Sequence, residues 1–144
     1  MYKVERVVDL FPGELNCSQA MLTVFGEPYG VTPELAARLA RPLGGGMGHL
    51  ARTCGAVTGA VLVLGLAKDH EDEVEARKVS HSHVQELFRR FEELHKTTEC
   101  RILLGADMST EEGLKKAREE KLVSQVCPAF VRDAATILEE LLTT

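Results

Sequence analysis

The sequence has no tryptophan, and only two tyrosines and five phenylalanines stand among its 144 residues. Aromatic platforms on which nucleic-acid bases stack are therefore not expected. It also lacks an excess of positive charge, because 17 Lys and Arg face 22 Asp and Glu for a formal net charge of −5. An acidic chain is a poor partner for phosphate backbones and anionic membranes, so the composition favours a small molecule or another protein as partner.

Long hydrophobic runs are missing as well. The most apolar stretch, Cys54 to Ala67, is shorter than the roughly 20 residues that cross a membrane. The first six residues lack the apolar segment of a signal peptide, so we expect a cytoplasmic protein in which permanent disulfides are uncommon. The length and a hydrophobic content of 44% predict a single domain with its own core.

Apolar residues recur every three or four positions almost throughout, which is the helical period. The sequence therefore predicts an all-α, single-domain helix bundle. The expected helices cover residues 4–11, 16–25, 33–43, 53–67, 71–96 and 100–104, a segment opened by Ser109, and a last helix that starts at Pro128. The segment 53–67 is the predicted buried central helix.

Capping residues support several of these helix starts. Asn16 with Gln19, and Ser109 with Glu112, have the spacing of capping boxes, while Thr32 precedes a proline at a first helical position. The third helix is expected to bury one side, which consists of Leu35, Ala36, Leu39 and Leu43.

Glycines flank and enter the predicted central helix. The run Gly44 to Gly48 is not followed by Gly-Lys-Ser/Thr, and His49 stands where a dinucleotide fingerprint has its last glycine. We interpret the run as a tight backbone passage that leads to Cys54. Gly55 and Gly59 would let a neighbouring backbone approach closely, either within the chain or in a homo-oligomer.

Four cysteines, Cys17, Cys54, Cys100 and Cys127, are the feature to explain, and no two of them form a Cys-x-x-Cys pair. Local zinc and iron–sulfur signatures are thus missing, and any metal site must be assembled by the fold. Each cysteine is expected in the first turn of a helix, where free N–H groups favour the thiolate. Thr53 precedes the second cysteine as a candidate cap, and Arg52 and Arg101 add positive charge nearby in sequence.

Three interpretations of the cysteines stay open at this point. They are reactive thiols of a redox protein, they are ligands of a metal ion or iron–sulfur cluster, or they are small buried core residues, as free cysteines often are.

His81 shares a helical face with Arg77, Val84 and Phe88, which predicts that it points toward the interior. There it would act as a base, a metal ligand or an ordinary core histidine. His49 precedes Cys54 by five positions and is expected in an exposed loop. The charged segments 68–78 and 111–121 are expected to be solvated helix faces.

Four blocks of sequence resemble one known family. They are Asn16-Cys17-Ser18-Gln19-Ala20, Cys54-Gly55-Ala56-Val57-Thr58-Gly59-Ala60, Cys100-Arg101-Ile102-Leu103-Leu104-Gly105 and Cys127-Pro128. In this order they resemble the redox-active proteins named for the pattern C…GCAxxG…C…C, although Gly follows the second cysteine here. The resemblance implies a small bacterial cytoplasmic protein, often encoded near transporter genes, with no established substrate.

The leading hypothesis is a thiol–disulfide redox protein in which Cys54 attacks an oxidised substrate. Cys17 and Cys127 are the preferred resolving cysteines, Cys100 is the fourth site cysteine, and His81, Arg77 and Thr53 are supporting residues. The alternatives are a metal or cluster site with the four cysteines as ligands, and a non-catalytic helical module that binds a transporter-linked protein.

Overall fold

A computed structural model describes residues 2–144 of the chain. Helices dominate that part: α1 Tyr2–Leu10, α2 Cys17–Gly26, α3 Pro33–Ala40, α4 Gly55–Ala67, α5 Glu73–His95, α6 Cys100–Leu104, α7 Glu111–Glu119 and α8 Leu122–Leu142. Within residues 2–144, extended pairing is limited to one antiparallel bridge between Thr53 and Glu99. The predicted all-α class is therefore confirmed.

The core forms where α4 packs between α2, α5 and α8. Its largest fully buried side chains include Met21, Phe25, Leu64, Phe91 and Leu138. Burial of such apolar side chains drives folding, at about 1.5–3 kcal/mol for each large one. A smaller cluster, Leu104, Ala106, Met108 and Ala117, lies under α6 and α7, and Cys127 packs against both clusters.

The capping predictions hold with one shift. The Asn16 side chain accepts the Gln19 N–H at 2.8 Å while the Gln19 side chain accepts the Asn16 N–H at 2.9 Å, which is the expected capping box. Thr32 caps α3 as predicted. The cap of α7 is Thr110 rather than Ser109, because the Thr110 hydroxyl accepts the Gly113 N–H at 2.9 Å.

The predicted inner face of α3 is wrong in part. Ala36 and Ala40 are fully buried, but Leu35 and Leu39 are 43% and 53% exposed. The small alanines allow α3 to lie against α2, where the Gln19 side chain donates to the Ala37 carbonyl at 2.9 Å. The leucines then fall on the outer side of the helix.

The predicted start of the last helix at Pro128 is also wrong. Helix α8 begins at Leu122, and Pro128 lies inside it. A proline lacks the N–H that the carbonyl four residues earlier would accept, so it usually marks a helix start. Here Val123, Val126 and Cys127 pack against the core, and this packing holds the preceding turn in helical form.

None of the helices in residues 2–144 is both long enough and apolar enough to span a bilayer.

Candidate thiol site

All four cysteines line one cavity of about 740 Å³. Cys17 is the first residue of α2, Cys54 is the N-cap of α4, Cys100 is the first residue of α6, and Cys127 lies in the second turn of α8. The fold thus brings together four thiols that are far apart in sequence.

The contact between α2 and α4 places Cys17 beside Cys54. A Cβ at Gly55 would lie only 2.5 Å from the Cys17 sulfur and 2.7 Å from the Ser18 hydroxyl, so glycine leaves the space that this sulfur needs. Ser18 also donates to the Gly55 carbonyl at 2.6 Å. The glycine that follows the central cysteine therefore seats the first cysteine against it.

The bridge between Thr53 and Glu99 joins Cys54 to Cys100. The Cys54 N–H donates to the Thr98 carbonyl at 2.7 Å, and the Cys100 N–H donates to the Arg52 carbonyl at 2.5 Å. Thr53 is therefore a bridge residue, and the expected cap position is taken by Cys54 itself.

The glycine-rich loop forms another wall of the cavity. Residues 45–49 all have positive φ, including Met47 at 66° and His49 at 61°. Gly46 has no room for a side chain, since a Cβ there would lie 2.8 Å from the Cβ of Cys100. This agrees with the predicted tight backbone passage toward Cys54.

Burial changes the expected acidity of the thiols. Desolvation raises the pKa of Cys54 above its ordinary 9.0, although the N–H groups of Ala56 and Val57 act in the opposite direction. It raises the pKa of Cys17 well above that value, that of Cys100 to about 11 and that of Cys127 to about 12. Burial thus outweighs the backbone N–H groups at Cys17 and Cys54, and no such group lowers the pKa of Cys100. The expected first-turn position of Cys127 is wrong, because α8 begins five residues earlier at Leu122.

Among the four thiols, Cys54 has the largest electrostatic effect on the others. After burial, a thiolate at Cys54 is the largest influence that raises the pKa of Cys17, Cys100 and Cys127. Buried charges are screened less than exposed ones, so an ionised Cys54 opposes ionisation of the other three thiols. The four cysteines are free thiols in this structure.

A family model described as "Putative redox-active protein (C_GCAxxG_C_C)" matches residues 15–141. The chain belongs to this family. No curated protein matches the sequence, and neither does any solved structure. The matched region contains all four cavity cysteines, so the family pattern corresponds to the walls of a single site.

Two expected supporting residues of this family member lie outside the site. His81 and Arg77 are exposed, and Arg77 pairs with Glu73 at 3.6 Å. The buried stripe of α5 consists of Leu87 and Phe91, so the earlier turns extend beyond the core. The prediction of an inward His81 is wrong for that reason.

The cations that line the cavity are not those next to the cysteines in sequence. Arg52 and Arg101 do not line it, whereas His49 does and is exposed, as expected for a loop residue. Arg118 and Lys121 do line it, although their segment was expected to be an ordinary solvated face. Sequence carried no signal for them, because their position depends on how α7 packs on α8.

One carboxyl oxygen near the thiols has no hydrogen-bond partner. The Glu99 Oε2 atom is buried without a hydrogen bond, and a charge on Glu99 contributes to the raised pKa of the adjacent Cys100. An anion in that place opposes ionisation of the neighbouring thiol.

A metal centre was the main alternative. Across residues 2–144, no three or more His, Cys, Asp or Glu side chains are grouped so that they could hold a metal ion. The thiols share a cavity without forming a ligand cage, and the geometry gives the metal alternative no support.

Proposed function

We propose that this family member is a thiol–disulfide redox protein whose nucleophile is Cys54. The observation that supports this most is the meeting of four free thiols in one cavity, where a thiolate at Cys54 raises the pKa of each of the other three. A pair of neighbouring thiols exchanges with a disulfide through a mixed-disulfide intermediate.

The proposed reaction has two exchanges. The Cys54 thiol loses its proton to solvent and the thiolate attacks one sulfur of a substrate disulfide, so that a mixed disulfide forms and the first substrate thiolate leaves and is protonated. A second cysteine then loses its proton to solvent and its thiolate attacks the Cys54 sulfur, so that the second substrate thiolate leaves and is protonated. The substrate disulfide gains two electrons and becomes two thiols, while the protein dithiol becomes a disulfide.

Cys54 is the better nucleophile of the four because two N–H groups counteract its burial. Those of Ala56 and Val57 lower the pKa of the Cys54 thiol, and backbone N–H groups at a helix start stabilise a thiolate. Cys17 has one such donor, the Ser18 N–H, and none lowers the pKa of Cys100 or Cys127.

Cys17 is the first candidate for the resolving thiol and Cys127 the second. The sulfur of Cys17 lies against Gly55, the residue that follows Cys54, so it is one residue away from the proposed nucleophile. Cys127 packs against both hydrophobic clusters and influences the Cys17 thiol from across the cavity.

Trapping the mixed disulfide tests these roles. We expect Cys17→Ser protein, treated with 2-hydroxyethyl disulfide, to accumulate one adduct on Cys54, because the thiol that would release it is gone. Intact mass spectrometry followed by peptide mapping measures the adduct. If Cys127 resolves instead, the adduct accumulates in Cys127→Ser.

The matched control is Ala129→Ser, which adds a hydroxyl to an exposed position of α8 and removes no thiol. It is expected to release the substrate as the unmodified protein does. A Cys54→Ser protein that folds by circular dichroism and still forms the internal disulfide at the original rate would refute the assignment.

A further inference from the structure

We propose that the thiol cavity selects a small disulfide whose two ends carry carboxylates, held by Arg41, Arg118, Lys121 and the amides of Gly45 and Gly46. This inference rests on the proposed function and names the substrate class of the same site. Three features of the cavity support it: the charge of its wall, backbone N–H groups without a hydrogen bond, and its volume.

The wall of the cavity has the opposite charge to the protein as a whole. The ionised side chains that line it are the cations Arg41, Arg118 and Lys121 and a single carboxylate, Glu14. With histidine neutral, this gives a local balance of 3 − 1 = +2 in a chain of net charge −5. A cleft of one sign raises the local concentration of a ligand of the other sign.

These cations have no carboxylate to neutralise them. None of the ion pairs formed by residues 2–144 includes Arg41, Arg118 or Lys121. Some arginines elsewhere are paired, as Arg89 is with Glu86 at 2.7 Å and Arg132 with Glu5 at 2.6 Å. What sets Arg41 and Arg118 apart from the other unpaired arginines is that they line the cavity. An arginine fork without a partner suits a carboxylate, which it binds through two parallel hydrogen bonds.

The glycine-rich loop adds neutral donors to the same wall. The N–H groups of Gly45 and Gly46 donate no hydrogen bond within the described part of the chain. Both residues line the cavity and have positive φ, at 64° and 73°. Successive N–H groups in such a turn form a concave site for an anion.

The size of the cavity limits the ligand. Its volume of about 740 Å³ lies within the roughly 300–1,000 Å³ of small-molecule sites. The cations come from the turn after α3 and from the junction of α7 with α8, whereas the thiols come from α2, α4, α6 and α8. A ligand that contacts both sets therefore has a disulfide in its middle and charged groups at its ends.

Three disulfides with the same central bond and different charge test this selection. They are 3,3′-dithiodipropionate with two negative charges, neutral 2-hydroxyethyl disulfide and cystamine with two positive charges. The rate at which reduced protein converts each to thiols is measured at low salt. We expect the anionic disulfide to be reduced fastest and the cationic one slowest. The differences between the three rates should shrink at high salt, since salt screens charge.

Arg118→Gln removes one cation and keeps a polar side chain. It is expected to lower the rate ratio of anionic to neutral disulfide by about three- to tenfold, the range for losing a charged hydrogen bond at a partly solvated position. The matched control is Arg38→Gln, because Arg38 is also exposed but lies outside the cavity. This control is expected to keep the full charge preference.

Suberate, the dicarboxylate that replaces the two sulfurs by carbon, separates this inference from the proposed function. We expect it to shift the amide NMR signals of Gly45 and Gly46 saturably, and Arg118→Gln to weaken that binding. Hexane-1,6-diol is the uncharged control.

The outcomes are distinct. Equal rates for the three disulfides, or a charge preference that Arg118→Gln leaves unchanged, would overturn the selection while the redox function stands. If no disulfide is reduced, the redox function fails, and suberate binding alone decides: no saturable shift overturns the anion site, and a shift that Arg118→Gln weakens supports it.

Discussion

The four thiols are acidic groups held in a setting that opposes their ionisation. Burial raises the pKa of each of them, and a thiolate at Cys54 raises the others further. At neutral pH the reduced site therefore holds protonated thiols, which react slowly until a proton leaves. This is the reverse of the expectation from helix starts alone, because sequence shows where a helix begins but not how deeply that position is buried.

The raised pKa of Cys54 predicts the pH dependence of its reaction. Because the thiolate fraction grows about tenfold for each pH unit below the pKa, the rate of Cys54 alkylation by iodoacetamide is expected to rise without a plateau up to pH 9.0, the ordinary value that burial raises. Peptide mass spectrometry at a series of pH values measures this rate. A plateau near pH 7 would show a thiol activated by its surroundings and contradict the burial effect.

Some residues of the candidate site could be predicted from the sequence and others could not. The cysteines and their order were sufficient to identify the candidate site. Arg118 and Lys121 were not recognisable, since cations in a Glu/Lys-rich segment usually face solvent, and only the packing of α7 on α8 brings them to the cavity. The prediction that His81 points inward was wrong for a similar reason. Helical spacing shows which residues share a face of α5, but not how far along that face the core extends.

Helices α2 and α4 set the geometry of the site through two glycines. A Cβ at Gly55 would meet the Cys17 sulfur, and one at Gly59 would lie 3.0 Å from the Cβ of Met21. The spacing of four residues places both glycines on the side of α4 that faces α2. Gly55 and Gly59, the two glycines of the block that begins at Cys54, are thus explained by helix packing within the chain.

Gly55→Ala is expected to destabilise the protein by about 1–3 kcal/mol, the usual cost of overpacking a core contact. The new methyl group would displace the sulfur of Cys17, which a Cβ approaches to 2.5 Å. Urea unfolding of the reduced protein measures the change in the free energy of unfolding.

The matched control lies in the same helix. Gly65 has no atom within 4 Å of its Cβ position, so the substitution meets open space. Gly65→Ala is expected to stabilise the protein by up to about 1 kcal/mol, because alanine favours a helix more than glycine does. Equal effects of the two substitutions would show that the α2–α4 contact is looser than described.

At the level of helices, periodicity and caps were informative. They predicted the positions of α2, α3, α4 and α6 closely. Asn16, Thr32 and the glycines start or end a helix through contacts within one turn, so their effect is visible in the sequence. The start of α8 was missed because its first turn is held by packing of Val123 and Val126 against distant residues. Such tertiary effects override a local proline signal.

The whole molecule places four distant cysteines around one space, and this is the property that sequence could only suggest. Their convergence depends on the crossing of α2 and α4, on the Thr53–Glu99 bridge and on the position of α8 between two hydrophobic clusters. Each is a long-range contact with no local signature. A chain of 144 residues suffices for this because the core and the site share the same helices.

In the proposed redox function, the four-thiol cavity is the redox site and Cys54 belongs to the exchanging pair. The most direct measurement is equilibration of the purified protein across a series of glutathione redox buffers, followed by acid quenching, alkylation and mass-spectrometric mapping of the disulfides. We predict one reversible two-electron transition that links Cys54 to Cys17 or Cys127 and is lost in Cys54→Ser. Four thiols that stay reduced throughout, or a transition that leaves Cys54 free, would contradict the account.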